Sequence, residues 1–458
     1  MHISRRDWLA AGIGAGSARL IGTAMAHGNH RQDSVSALRG SRRSATIPTH
    51  EYAGDIEERL DFPGDWEIHA MKMAGHDAPA LSRDELIRPL SSPIGSPPLS
   101  ELAAGKKTAV ITFDDLTRPT PVIAVAPLLV DQLRAAGIAE SNIYFLTSFG
   151  LHRAMEQNEV VRKLGSRLVE RHLWFNHNAF DGLAELGATS GKNRVLVNKL
   201  FLAADLRITI SGVKIHGLAG YSGGAKAVLP GVSGFQAVHH NHMVIGKGNK
   251  TVGEAKIFGN ELRRDMEEAA RMAKVDFSVQ IVYNNRLQPC RVFAGDVVEA
   301  FSEACRAANR LHRTPTFKSA DVVVANGYPA NSQAGKALPW IDRSVREGGT
   351  GVLVMQHPAG IMSWHFLYPT GYTGNGNPLA SNKPAEANKA RIKAGRQSMG
   401  GTWARFRRSA DRYVVASSRI RSDTGTGWAR SAGVAGRPKE TTLDSPTFGN
   451  RGRKSSGM

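Results

Sequence analysis

The sequence is poor in cysteine. Among its 458 residues only Cys290 and Cys305 occur, too few for a disulfide scaffold or for a Cys-built zinc or iron–sulfur centre. Long hydrophobic runs are also missing. No stretch of about 18 uninterrupted apolar residues is present, which excludes a multi-span membrane protein. No HExxH string occurs, which argues against a conventional hydrolase on a histidine-rich metal site. Acidic side chains are outnumbered, 40 Asp+Glu against 59 Lys+Arg, for a formal net charge of +19. The excess is uneven: from Lys389 to the end there are 16 basic and 4 acidic side chains, so +12 lies in the last 70 residues. That stretch lacks the interleaved aromatics of a base-stacking surface and any nucleic-acid fold signature. It reads as solvated, with no nucleic acid as partner.

What is present is enough to fold. With 41% hydrophobic residues, a chain of this length has the apolar material for two or three domains, and wholesale disorder is excluded. The first residues, Ser4-Arg5-Arg6-Asp7-Trp8-Leu9, run into a Gly/Ala-rich, mildly apolar stretch that ends at Ala24-Met25-Ala26. Paired arginines, a short apolar region and a small-x-small ending describe a cleavable twin-arginine export signal over 1–26. The expected address is the periplasm. Residues 27–50, polar and Arg/Ser-rich, read as a linker.

Periodicity begins near Lys106. Thr108–Phe113 is a short β-branched run, a buried strand, and it ends in Asp114-Asp115-Leu116-Thr117-Arg118-Pro119. Val122–Ala136 is apolar at helical spacing and stops at Gly137. Asn142–Thr147 is a second strand, followed by Gly150-Leu151-His152-Arg153. Strand, helix, strand predicts an α/β layer with a mainly parallel sheet, and ligands collect at the carboxyl ends of such strands. Asn260–Ala273 reads as a helix with i,i+4 charge pairing and no visible chemistry. Asp321–Gly327 and Gly351–Met355 open a second α/β region, with Gln333 and Lys336 three apart between them.

The segment richest in chemistry is His216-Gly217-Leu218-Ala219-Gly220-Tyr221-Ser222-Gly223-Gly224-Ala225-Lys226. Glycines this dense let backbone N–H groups approach an anion, as phosphate loops do, although the GxxxxGK[ST] pattern is not met. Shortly after come His239, His240 and His242, and neutral imidazole is a common metal ligand. A solvated polar loop is the bland alternative. From about Gly374 onward Gly, Asn, Ser and Arg dominate, and the end of the chain reads as disordered.

Taken together, Asp115-Leu116-Thr117-Arg118-Pro119, Gly150-Leu151-His152-Arg153 and His216 through Lys226 to His242 resemble the nickel-pincer lactate racemase family, two-domain 2-hydroxyacid racemases and epimerases. The likeness runs from about Lys107 to Met355. It implies two α/β domains with mainly parallel sheets and a cofactor site at their interface. The cofactor implied is a nickel-pincer nucleotide, the nickel complex of pyridinium-3-thioamide-5-thiocarboxylic acid mononucleotide. The resemblance implies that Lys226 carries the thioamide tether and that Asp115, Thr117, Ser222, Gly223 and Gly224 complete the cofactor site. It makes His242 the nickel ligand, with His239 and His240 as alternatives. His152 and His216 are implied as paired acid/base groups, and Arg118, Gln333 and Lys336 as substrate contacts. Where the family's racemase has tyrosine beside the glutamine, this chain has Ser332, a departure that bears on the substrate.

The chemistry agrees with that assignment. Inverting a carbon that bears hydroxyl and carboxylate by hydride removal and return requires a borrowed electron sink, a base for the hydroxyl proton and a cation for the carboxylate. The competing class is an exported binding protein that retains the fold without catalysis. The expected layout is therefore signal 1–26, linker 27–50, an N-terminal cofactor-binding catalytic domain 51–310, a C-terminal α/β domain 315–400 and a basic, disordered tail 401–458.

Overall fold

The computed structural model describes residues 43–49, 56–62, 64–329, 337–356, 406–409 and 412–418. The signal 1–26 lies outside them. In chain order the strands begin with β1 (Arg43–Thr49), β2 (Ile56–Phe62), β3 (Ala109–Phe113), β4 (Ile143–Thr147) and β5 (Trp174–Phe175). Next come β6 (Leu183–Ala188), β7 (Arg194–Asn198), β8 (Leu206–Gly212), β9 (Ile215–His216) and β10 (Gly220–Tyr221). The rest are β11 (Phe277–Tyr283), β12 (Pro289–Gly295), β13 (Ala320–Asn326), β14 (Val345–Gln356), β15 (Phe406–Ser409) and β16 (Arg412–Ser418).

The main sheet has the order β12-β11-β8-β3-β4-β5. All its neighbours are parallel except the β11–β12 pair at one edge. Central strands of such a sheet are covered on both faces, so they read as continuous apolar runs. In β3 all five residues are buried. Ala109, Ile111 and Phe113 face one core with Phe145, Leu129 and Leu133, while Val110 faces the other with Leu146, Phe201 and Met266. Helix α1 (Ala126–Ala135) supplies Leu129 and Leu133 and ends before Gly137, whose φ of 99° is the left-handed conformation that stops a helix. Further helices that matter for the site are α2 (Gln157–Leu164), α3 (Phe235–His239), α4 (Glu261–Met272) and α5 (Glu299–Leu311). Both cysteines are buried free thiols, and burial pushes the Cys305 thiol up to about 12. Among the described residues no helix is long and apolar enough to cross a membrane.

A second sheet has the order β13-β14-β16-β15, with β13 and β14 parallel. Two findings here differ from the sequence reading. The hairpin β1–β2 falls partly in the span read as linker, yet Ile47, Leu60 and Phe62 pack with Trp66 against Val322, Val324, Val352 and Val354. Leu60 and Phe62 alternate with Arg59 and Asp61, a period of two that the neighbouring Arg/Ser-rich run obscures. Similarly, β15 and β16 fall in the span read as tail, where the β-prone Tyr413-Val414-Val415 pairs with β14.

Candidate active site

Because β3, β4 and β8 are parallel, their carboxyl ends share one edge of the sheet, and the segments that leave them converge there. The turn after β3 holds Asp115, which is buried. Its Oδ1 accepts from the Thr117 N–H at 3.1 Å and from the Thr117 hydroxyl at 2.6 Å, while Oδ2 lies 2.6 Å from His152 Nδ1. Burial alone would raise the pKa of this carboxyl. The charge and hydrogen bond of His152, the Arg118 guanidinium and Thr117 outweigh it and hold the group well below the usual carboxylate range. Asp115 is therefore an anion whose neighbours are all donors. Arg118 turns back on its own loop and donates to the Thr117 carbonyl at 3.1 Å and hydroxyl at 2.9 Å.

This turn is pinned from below by a residue that the sequence reading passed over. Lys163 of α2 is buried, and its ammonium donates to Asp114 Oδ1 at 2.7 Å and to the carbonyls of Arg118 and Thr120. A solvated lysine would be unremarkable. One on the apolar side of a helix, beside Val160 and Leu164, is there to hold something.

The Gly-rich segment is built the same way. After the β9–β10 hairpin, Ser222 donates its hydroxyl to the Gly212 carbonyl at 2.6 Å and accepts from the Lys214 N–H. The Gly224 N–H is taken by Gln280 Oε1 at 2.9 Å. Gly224 sits at φ 60°, and a Cβ there would meet the Phe301 ring at 2.6 Å, so glycine is required by packing as well as by backbone conformation. Ser222 and Gly224 are thus committed to the protein's own bonds. The expected phosphate cradle does not have these two donors at its disposal.

Arg263 of α4 holds the loop from the other side. Its guanidinium donates to the Ala219, Tyr221 and Gly223 carbonyls and lies over the Phe301 ring, 4.4 Å from the centroid. The side chain is buried, and burial draws its pKa down to about 10, which leaves it charged at neutral pH. The sequence reading saw no chemistry in this helix. Its second buried polar residue, Asp265, accepts from Thr189, Asn193 and Asn241, and Asn241 adjoins His242.

Lys226 lies at the end of this loop, 9% exposed. Burial first, then the charges of Arg263 and Arg118, push its amine well below the ordinary lysine value. Lowering the pKa makes the amine easier to deprotonate, and the deprotonated form is the nucleophile. The three histidines separate clearly. His239 stacks on Phe235, and His240 Nε2 is bonded to the Gly191 carbonyl at 3.0 Å. His242 sits in a π-helical turn, His240–Gly246, a form often found at functional sites. Its Nδ1–H donates to the Val238 carbonyl at 3.1 Å, which leaves the lone pair on Nε2. Burial is the main cause that lowers its pKa, to about 3.

The structure therefore gathers Asp115, Thr117, Arg118 and His152 in one hydrogen-bonded group and sets Lys226 and His242 within its electrostatic reach. His216 joins through the hairpin that leads into the Lys226 loop. Gln333 and Lys336 lie outside the described residues. Among the described residues no cage of three or more His, Cys, Asp or Glu side chains exists. One neutral imidazole and one buried amine are a poor site for a bare metal ion. They fit a group that brings its own metal-bound atoms and needs a covalent anchor and a single further ligand.

Residues 53–253 match the family model of the lactate racemase N-terminal domain. Lactate racemase from Lactiplantibacillus plantarum is 31% identical over 60% of this chain and 66% of its own length. Lactate racemase from Thermoanaerobacterium thermosaccharolyticum is 29% identical over the same shares. The chain thus spans just under two thirds of the length of these curated relatives. The solved structure of the lactate racemase apoprotein from Thermoanaerobacterium thermosaccharolyticum superimposes with a TM-score of 0.56 at 27% identity, over 67% of this chain and 73% of that one.

Proposed function

We propose that the protein is an isomerase that racemises or epimerises a lactate-like 2-hydroxy acid, a reading supported by the match of residues 53–253 to the lactate racemase N-terminal domain and by the likeness to two lactate racemases. The observation that carries the reading is the Asp115–His152 pair together with a buried Lys226 whose pKa is drawn well below the ordinary lysine value. Our reading takes a nickel-pincer nucleotide as the cofactor. Lys226 would anchor it covalently and His242 Nε2 would supply the protein's ligand to nickel; when bound, the group would supply a hydride acceptor.

The remaining roles belong to the chain itself. Asp115 accepts a hydrogen bond from His152 Nδ1–H, which puts the ring's lone pair on Nε2, the base for the hydroxyl proton. The carboxylate also balances the imidazolium that forms. Arg118, held by Thr117, offers a guanidinium of fixed orientation to the substrate carboxylate. Lys163 and Arg263 position the two loops without touching substrate. A binding protein that merely retains the fold would have no use for a carboxylate-backed histidine or a buried lysine of lowered pKa. The test is to purify the chain from a host that makes the cofactor. About one nickel per chain, a mass adduct on the Lys226 peptide and conversion of L-lactate to the racemate are expected. A loaded chain with no isomerase activity on any short 2-hydroxy acid would favour the binder.

A further inference from the structure

The turn that carries His242 is clamped by a carboxylate that the proposed mechanism does not use. Asp265 of α4 is buried. Its Oδ1 accepts from the Thr189 hydroxyl, and its Oδ2 accepts from Asn193 Nδ2 at 2.8 Å and from Asn241 Nδ2 at 2.7 Å. Both asparagines are fully buried. Each also donates to a carbonyl: Asn193 to that of Ala237 at 3.0 Å, Asn241 to that of Leu262 at 3.1 Å. A carboxylate and a carbonyl only accept, so the NH₂ of each amide must face them and neither amide can flip.

Those two amides reach the backbone at either end of one bond. His242 Nδ1–H donates to the Val238 carbonyl at 3.1 Å, and that contact orients the ring. Ala237, held by Asn193, immediately precedes Val238, and Asn241 immediately precedes His242. We propose that Asp265 is a positioning residue for His242: through Asn193 and Asn241, one carboxylate oxygen fixes both ends of the Val238–His242 contact and so the direction of the ring's Nε2. This deepens the proposed function and rests on its reading of His242 as the ligand to nickel. In that reading His242 is the single protein ligand, so a swing of its ring would not be corrected by a second one.

The clamp also accounts for the π-helical turn, His240–Gly246. Where a turn closes i→i+5, residues five apart lie roughly one above the other, whereas in an α-helix they point about 140° apart. Asn241 and Gly246 are such a pair, and both face α4. Asn241 bonds Leu262 and Asp265, and at Gly246 a Cβ would run into the Leu262 side chain. On the other side, His240 Nε2 is bonded to the Gly191 carbonyl at 3.0 Å, in the same β6–β7 turn that supplies Thr189 and Asn193. Relaxing the turn to a regular α-helix would swing Asn241 or Gly246 away from α4, and His242 with it. The buried carboxylate would then lose a donor, which is costly.

Two readouts on the full-length chain test this. Asn241→Ser and Asn193→Ser stay polar but are too short to reach Asp265, whereas Thr189→Val takes a donor from the carboxylate's other oxygen and leaves both amide–carboxylate bonds in place. In cofactor-free, 15N-histidine-labelled protein the His242 Nδ1–H signal is identified by its loss in His242→Gln. Its exchange with solvent should quicken about tenfold or more in each serine variant and stay within about threefold of wild type in Thr189→Val. In chains purified from a host that makes the cofactor and then challenged with EDTA, nickel release should quicken about 10–100-fold in the serine variants and stay near wild type in Thr189→Val. Either serine variant alone suffices if the other does not fold. Folded serine variants with wild-type exchange and wild-type nickel release overturn the proposal. So does a Thr189→Val chain that matches them in both readouts, since a merely structural carboxylate would respond alike to the loss of any donor. A wild-type chain that carries no nickel from that host would instead sink the reading of His242 as ligand, with the exchange measurement still deciding the clamp.

Discussion

Replacing Lys226 with methionine should eliminate the covalent adduct and the isomerase activity, yet leave the cofactor-free protein more stable, by about 1–3 kcal/mol at pH 7. The amine is nearly fully buried and faces the charges of Arg263 and Arg118. Its folded pKa lies well below the ordinary lysine value, so between the two values the unfolded chain binds more protons than the folded one. By linkage the lysine therefore costs stability, and the cost shrinks as pH rises toward the unfolded pKa. Urea unfolding of both forms at pH 7 and pH 9 checks this. The advantage of Lys226→Met should be larger at pH 7. A variant less stable than wild type at both values would mean that burial does not lower the amine's pKa in the fold. A residue that weakens the fold to keep a nucleophile available is the usual trade at functional positions.

The second large effect is at Asp115. Asp115→Asn should lower kcat by about 10²–10⁴-fold with little change in KM. The carboxylate now accepts from His152, the Thr117 N–H and the Thr117 hydroxyl. An amide has one acceptor oxygen for these donors, and its NH₂ must face at least one of them. The Nδ1-protonated state of His152 is no longer enforced, and the imidazolium formed in the reaction loses its counter-charge. Arg118 keeps its bonds to Thr117, so substrate binding should survive. Steady-state kinetics on loaded enzyme read this directly, and a variant with wild-type kcat would remove Asp115 from the mechanism.

Much of the main sheet and the polar strand ends was legible because buried parallel strands are continuous apolar runs that stop at loop-forming residues. Thr108–Phe113, Asn142–Thr147 and the helix before Gly137 all fall within a residue or so of β3, β4 and the segment containing α1. The hydrogen-bonded set of Asp115, Thr117, Arg118 and His152 was also readable, since the family strings carry it. What the sequence hid were the supports. Arg263 and Lys163 look like surface cations of charged helices, and only their place on the apolar side, Arg263 in register with Met266 and Ala270, marks them as buried. The commitment of Ser222 and Gly224 to Gly212 and Gln280 could not be read either, because Gln280 lies 56 residues beyond Gly224.

The most direct test of the whole account follows one enantiomer of lactate in D₂O with the cofactor-loaded chain. The account predicts approach to the racemate with the hydrogen at C2 retained, because the hydroxyl proton exchanges through His152 while the carbon-bound hydrogen leaves and returns as hydride. Unchanged enantiomeric purity, or deuterium entering C2 in step with inversion, would contradict it.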